Sequence, residues 1–299
     1  MDDADLARRL DGAIAAASAP SAQQRRRAAT PRAVLTPFSE IEPLPVEWLW
    51  RGWIPLGMLT VLDGDPGLGK STLLLDIAAR LSRGDVMPDG SPGPEAAGVI
   101  ILSAEDDASR VIRPRLGAAG AVVLRVATLH INDSQGGPRD PTLSPEDIDR
   151  IEDAALRFGA RLIIVDPLMA FLPGELNAHR DQDVRRVLAL LRDLAERTGA
   201  AIVLIRHLNK NPGGSPLYRG GGSIGFIGAA RSGIVLARDP EDPEGRILAV
   251  NKLNLAPIPE ARRLRLVNVE SDSPARVSWE GSSEHTAASL LAVPADPEE

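Results

Sequence analysis

The sequence contains no cysteine, which excludes a disulfide framework, a thiolate metal site and a thiol nucleophile, and fits a reducing cytosol. Lysine is almost absent as well. Of 34 basic residues only three, Lys70, Lys210 and Lys252, are lysines. A coding bias toward Arg, Ala, Gly and Pro explains most of this, but the two cations are not interchangeable, so the surviving lysines merit attention. Aromatic residues make up only 3% of the chain; Tyr218 is the sole tyrosine, and three of the four tryptophans fall at positions 48, 50 and 53. No run of about 18 apolar residues occurs, and the opening MDDADLARRLDG is charged and lacks a signal-peptide stretch. These features predict a cytoplasmic chain with no membrane partner. The formal charge of −7 argues against a broad nucleic-acid-binding surface while leaving room for a local basic loop in an oligomer's channel.

A chain of 299 residues, with 43% apolar and 25% charged, is long enough for one large α/β core with tails or for two small domains. The most informative string is GDPGLGKST, Gly64, Asp65, Pro66, Gly67, Leu68, Gly69, Lys70, Ser71 and Thr72, which fits GxxxxGK[ST]. The apolar run MLTVL, residues 58 to 62, precedes it as a strand. Leu73, Leu74, Leu75, Ile77 and Ala78 follow as a helix. Glycines let backbone N–H groups wrap around phosphates, Lys70 reaches the β/γ-phosphates, Ser71 offers a hydroxyl to Mg²⁺, and the helix turns its positive end to the anion. The string implies a nucleoside triphosphate.

Residues 1 to 45 read as a flexible arm rich in Arg, Ala and Pro, with a short helix expected over Asp2 to Ala17. Trp48, Trp50 and Trp53 mark where packing begins. Large rings beside a first strand brace it, although base stacking is also within their chemistry. Strands are predicted over Val99 to Leu102, Val122 to Ala127, Arg161 to Asp166 and Ala201 to Ile205. Helices are predicted over Ala108 to Ala119, from Pro145 behind the N-cap Ser144 to about Phe158, and over Asp181 to Thr198. Closing strands fall near Gly233 to Ala237, Ile247 to Asn251 and Leu264 to Val269. Alternation of strands and helices predicts an α/β fold with a mostly parallel central sheet, helices on both faces and a β-rich C-terminal edge.

In such a sheet ligands gather at the carboxyl ends of strands. Four ends carry polar residues. Besides the phosphate loop, Asp166 closes RLIIVD in the manner of a carboxylate that orients the water shell of Mg²⁺. Glu105 ends the strand next after the phosphate-loop helix, where a carboxylate would activate a water, with Asp106 and Asp107 as rivals that equally suit a helix cap. His207 ends AIVLIRH, placed to bond a γ-phosphate, although a lone histidine is commonly structural. After it comes LNKNPGGSPLYRGGGSIG, whose glycines, Lys210, Tyr218 and Arg219 suit a loop that grips single-stranded nucleic acid or one that is merely a surface connection.

The strings WLWRGWIPLGMLTVLDGDPGLGKST, VIILSAEDDASRVIRPRL, RLIIVDPLMAFL, LIRHLNK and YRGGGSIGFIGAARSGIVL resemble the RecA-like P-loop ATPases, and within them RepA-type hexameric helicases and related stand-alone bacterial and phage ATPases. The likeness covers about Val46 to Val269 and continues weakly through RVSWEG to Leu291. It implies an ATPase domain over 46–270, with a short strand/helix extension and tail over 271–299, and ATP and Mg²⁺ as cofactors. It implies Glu105 as catalytic glutamate, Asp166 as the metal-side carboxylate beside Ser71, and His207 as sensor. Arg219 matches an arginine finger given to a neighbouring subunit. Lys252, in AVNKLN, falls near a second basic finger, but an expected arginine two residues on is Asn254. Self-association into a hexameric ring, and single-stranded DNA bound through loops 171–182 and 208–222, are further implications. No primase or separate DNA-binding module is visible.

Overall fold

The computed structural model describes residues 35–132, 136–174, 180–208, 225–268, 270 and 273–292. The expected helix over Asp2 to Ala17, together with Lys210, Tyr218 and Arg219, lies outside them. The chain divides into two units, residues 1–45 and 46–299. In the first, the described segment 35–45 holds one 3₁₀ turn, Phe38–Glu40, and exposes Leu35, Phe38 and Leu44.

The second unit begins with β1 (Trp48–Trp50) and β2 (Ile54–Pro55), followed by β3 (Leu59–Gly64), α1 (Lys70–Arg83), β4 (Gly98–Ser103), α2 (Arg113–Ala118) and β5 (Val126–Thr128). The hairpin of β6 (Ile131–Asn132) and β7 (Pro138–Arg139) leads to α3 (Pro145–Phe158), β8 (Ala160–Asp166), α4 (Asp181–Thr198), β9 (Ala201–His207) and α5 (Gly225–Ala229). The chain closes with β10 (Ser232–Asp239), β11 (Asp242–Leu253), β12 (Ala261–Val267), β13 (Arg276–Ser283) and α6 (Ala287–Ala292).

Nine strands form one sheet in the order β13-β12-β11-β10-β3-β9-β8-β4-β5. From β10 to β5 every pairing is parallel, and from β10 to β13 every pairing is antiparallel. The expected mixed sheet with a β-rich C-terminal edge is what forms. Strands buried on both faces read as unbroken apolar runs, and successive residues serve opposite cores. Leu62 and Ile205 pack with Leu73, Leu74 and Ile77 of α1, whereas Val61 and Leu204 pack with Ile151 of α3 and Leu188 of α4. Each such fully buried leucine contributes about 1.5–3 kcal/mol.

The tryptophans brace the core. Trp50 and Trp53 stack with centroids 4.6 Å apart, and Trp279 from β13 meets Trp50 edge-on at 5.7 Å. Trp279 Nε1 also donates to Asp76 Oδ2 of α1 at 2.9 Å, tying the antiparallel edge to the phosphate-loop helix.

Two predicted elements differ. Over Val122 to Ala127 only Val126–Thr128 is strand, preceded by a 3₁₀ turn at Val123–Arg125. The N–H of Val122 is taken by Ser82 Oγ (2.9 Å) and Arg125 reaches Ser82 O (2.9 Å), so this stretch is bound to α1 before the sheet can pair it. The predicted helix over Ala108 to Ala119 opens with a π-type turn, Ala108–Ile112, before α2. Both Val111 and Ile112 donate to Asp107 O, which widens that turn.

Candidate nucleotide-binding and hydrolytic site

The phosphate loop leaves β3 at Gly64 and enters α1 at Lys70. Packing as well as conformation demands its glycines. A Cβ on Gly64 would lie 2.6 Å from Leu236 O, and Gly69, at φ +89°, has no room for one beside the Leu266 side chain. Gly69 caps α1 without a side-chain acceptor, so the first N–H groups of the helix remain available to an anion. Lys70 is buried, and its Nζ donates to Gly64 O and Asp65 O, both at 2.8 Å. Burial lowers the Lys70 pKa, while Asp166, Asp65, Asp63 and Glu105 pull the other way.

Neighbouring strands bring the other predicted residues alongside. Gly64 is in register with His207 on β9, Val165 with Leu204, and Asp166 with Ser103 on β4. The carboxyl ends of β3, β9, β8 and β4 therefore form one row. Lys70 Nζ lies 3.3 Å from His207 Nδ1, a contact that needs Nδ1 unprotonated to accept it. The opposite ring nitrogen, Nε2, is 3.8 Å from Glu105 Oε1. Glu105 itself is 61% exposed, so its carboxylate meets both the histidine and solvent.

The three consecutive acids have three different environments. Asp107 caps the turn that follows, accepting from Ser109 N (2.9 Å), Arg110 N (2.7 Å) and Ser109 Oγ (2.7 Å). Asp106 accepts from Arg115 at 2.8 Å and shares with Ser71, Ser103 and Asp166 the lining of a cavity of about 10 Å³. Glu105 alone faces His207. Asp166 accepts a hydrogen bond from Ser71, and its pKa is raised, first by burial and then by Glu105 and Asp106. A hydroxyl and converging carboxylates around a water-sized space are a donor set that fits a hard cation such as Mg²⁺.

Lys252 is not part of this row. It pairs with Gly233, which pairs with Val61, three residues short of Gly64, so about 10 Å of strand and two strand spacings, again about 10 Å, separate it from the loop. Its Nζ donates to Ile227 O (2.6 Å) and Gly228 O (3.0 Å) at the end of α5. Loops 171–182 and 208–222 are described only in part, and nothing in their described residues tests a DNA contact.

Two other features stand apart from the row. A cleft of about 330 Å³ lies between the edge strand β5 and α3, lined by Thr128, His130, Arg157 and Phe158 among others. Ligand atoms of Asp239, Glu241 and His285 fall within 4.8 Å of one another, but Arg263 Nε already stands 2.7 Å from Asp239 Oδ2 as counter-charge. Sequence reasoning did not find the buried pair Asp63–Arg206 next to the loop, nor the Arg115 partner of Asp106. The visible signal for the first was one charge inside each of two apolar strands.

A family described as an AAA domain matches residues 5–213, well over half of the chain. The chain belongs to that family of RecA-like P-loop ATPases. Nucleotide binding at the loop is what membership implies. Curated relatives are similar at modest identity: the DNA repair protein RadA of Mycobacterium tuberculosis (strain CDC 1551 / Oshkosh) is 27% identical over 199 residues, covering 62% of this chain and 36% of its own. RadA of Bacillus subtilis (strain 168) is 27% identical over 161 residues, with coverages of 53% and 30%. RadA of Streptococcus pneumoniae (strain ATCC BAA-255 / R6) is 29% identical over 162 residues, with coverages of 54% and 32%. The chain thus spans about a third of the length of the curated relatives it matches. Among the described residues no helix is long and apolar enough to cross a membrane.

Proposed function

We propose that this chain binds and hydrolyses Mg-ATP as an oligomeric cytoplasmic ATPase of the RecA/RepA type, and couples turnover to binding of, or movement on, single-stranded DNA. The observation that carries the reading is the row of Lys70, His207, Asp166 and Glu105 at adjoining strand ends. In this reading Gly64 to Thr72 wraps the phosphates and Lys70 exchanges its loop carbonyls for the β/γ oxygens. Ser71 and Asp166 hold Mg²⁺, which when bound neutralises phosphate charge. Glu105 takes the proton of the attacking water, and His207, fixed between Lys70 and Glu105, reports the γ-phosphate.

Within one chain, no arginine of the described row is placed on the transferring group. Arg219, supplied by a neighbouring copy, fills that role, and Lys252 is the second basic group directed at another copy's phosphate loop. A hexameric ring is the assembly this requires in the family resembled. The DNA side of the proposal draws on the printed function of the RadA relatives, DNA repair, and on the composition of segment 208–222. The formal charge of −7 favours a second reading, a nucleotide-switched regulator that does not act on DNA.

ATP turnover with and without single-stranded DNA, together with the mass of the complex in solution, separates the two. The proposal expects an oligomer stimulated by DNA. Turnover indifferent to DNA supports the switch, and absence of turnover overturns both.

A further inference from the structure

Two opposite charges sit inside two adjacent apolar strands immediately below the phosphate loop. Arg206 Nε and Nη2 donate to the two carboxylate oxygens of Asp63 at 2.9 and 2.8 Å, and the side chains are 2% and 3% exposed. They are register partners across β9 and β3. Asp63 directly precedes Gly64, and Arg206 directly precedes His207. Because alternate residues share a face, the pair lies on the side of Val61 and Leu204, away from α1. There the guanidinium stands 5.0 Å from the centroid of Phe226 in α5. The end of α5 is held in turn by Lys252 Nζ.

Stability alone does not account for such a pair, since apolar residues of similar volume commonly do as well or better once desolvation is counted. A planar fork on a carboxylate does supply fixed direction and distance, which greasy packing leaves free. The geometry points to Arg206 as a positioning residue: through Asp63 and Phe226 it locks the phosphate-loop end of β3, the His207 end of β9 and α5 into one rigid register, so that nucleotide at the loop is felt at α5. This inference rests on the ATPase reading above. It adds to that reading a pair that touches no substrate, and it places α5 and Lys252 under the control of the phosphate site.

The test uses the full-length wild type, the apolar pair Asp63→Leu/Arg206→Met and the conservative Arg206→Lys. Nucleotide affinity is read by calorimetry with a non-hydrolysable ATP analogue, turnover by steady-state kinetics, and the response of α5 by hydrogen exchange at residues 225–229. In the wild type the analogue should slow exchange in α5. In the apolar pair kcat should fall about 10- to 100-fold while analogue affinity stays within about twofold, because misplacement rather than binding is lost. The α5 response should vanish with it. Arg206→Lys keeps the charge without the fork and should lie between the two; should the apolar pair not fold, Arg206→Lys decides the question by the same readouts. A variant with wild-type turnover and an unchanged α5 response reduces the pair to packing and overturns the inference alone. A wild type that binds no nucleotide overturns the ATPase reading, and this inference with it.

Discussion

His207 is the residue through which the site becomes more than a phosphate cradle. With Nδ1 turned to the Lys70 ammonium and Nε2 toward Glu105, it joins the group proposed to bind phosphate to the group proposed to activate water. This arrangement separates binding from chemistry. Lys70→Ala should abolish tight Mg-ATP binding by calorimetry, because the loop loses its mobile cation. Glu105→Gln should keep ATP bound and slow turnover by about 10²- to 10⁴-fold, the usual cost of removing a positioned base. Asp107→Asn should cost only part of a helix cap. If Asp106→Asn or Asp107→Asn abolishes turnover while Glu105→Gln proceeds normally, the assignment of the base is wrong. That these residues would gather in one row was legible in the sequence because each lies at or just beyond the end of an apolar strand. Which of three consecutive acids faces the histidine was not, since neighbouring residues on an irregular turn point in directions that spacing does not encode. Only the cap on Ser109 and Arg110, and the Arg115 contact, separate them.

At the scale of elements, α3 illustrates how a start signal read from sequence conceals its main anchor. Ser144 and Pro145 begin the helix as expected, with Ser144 Oγ accepting from Asp147 N. Asp147 does far more. Its carboxylate, 2% exposed, receives both Nη atoms of Arg139 (2.8 and 2.7 Å), Arg150 (2.7 Å), and the N–H and hydroxyl of Thr142 (2.8 and 2.9 Å). These donors, led by Arg139, hold its pKa well below the ordinary 3.8. A depressed carboxylate stabilises the fold above the ordinary value, and that contribution fades as pH falls below 3.8 toward the folded-state pKa. Asp147→Ala should therefore cost about 1.5–3 kcal/mol near neutral pH by denaturant unfolding, the usual worth of hydrogen bonds to a charged group, since the arginines left behind reach solvent, and much less in strong acid. A loss that is the same at both pH values would contradict the network. The strands and helices themselves were legible because buried parallel strands and amphipathic helices write different periods. Val122 to Arg125 was not, because its apolar run reads as strand while Ser82 and α1 claim its backbone and guanidinium from a distance in sequence.

For the whole molecule, the parallel half of the sheet places the row of candidate site residues, and the antiparallel half packs against the phosphate loop through Leu236 and Leu266 and against α1 through Trp279. The motif string and alternating elements made this architecture legible, and family membership agrees with it. Assembly was not legible in the same way, because it depends on surfaces meeting between copies. It is nevertheless the point on which the proposed chemistry turns: Lys252 stands apart from its own phosphate loop, and Arg219 follows a glycine-rich stretch suited to reaching across an interface. An arginine finger contributes about 10³- to 10⁵-fold in turnover. Arg219→Ala should accordingly bind ATP nearly normally and hydrolyse it poorly. The most direct measurement is ATP turnover by a mixture of Arg219→Ala and Lys70→Ala proteins, each inactive alone, compared with the wild type over a dilution series. A shared site predicts that the mixture regains activity, since some interfaces pair an intact phosphate loop with an intact finger, and that wild-type turnover falls on dilution. A mixture no more active than its parts, or a dilute monomer hydrolysing ATP at full rate, would contradict it.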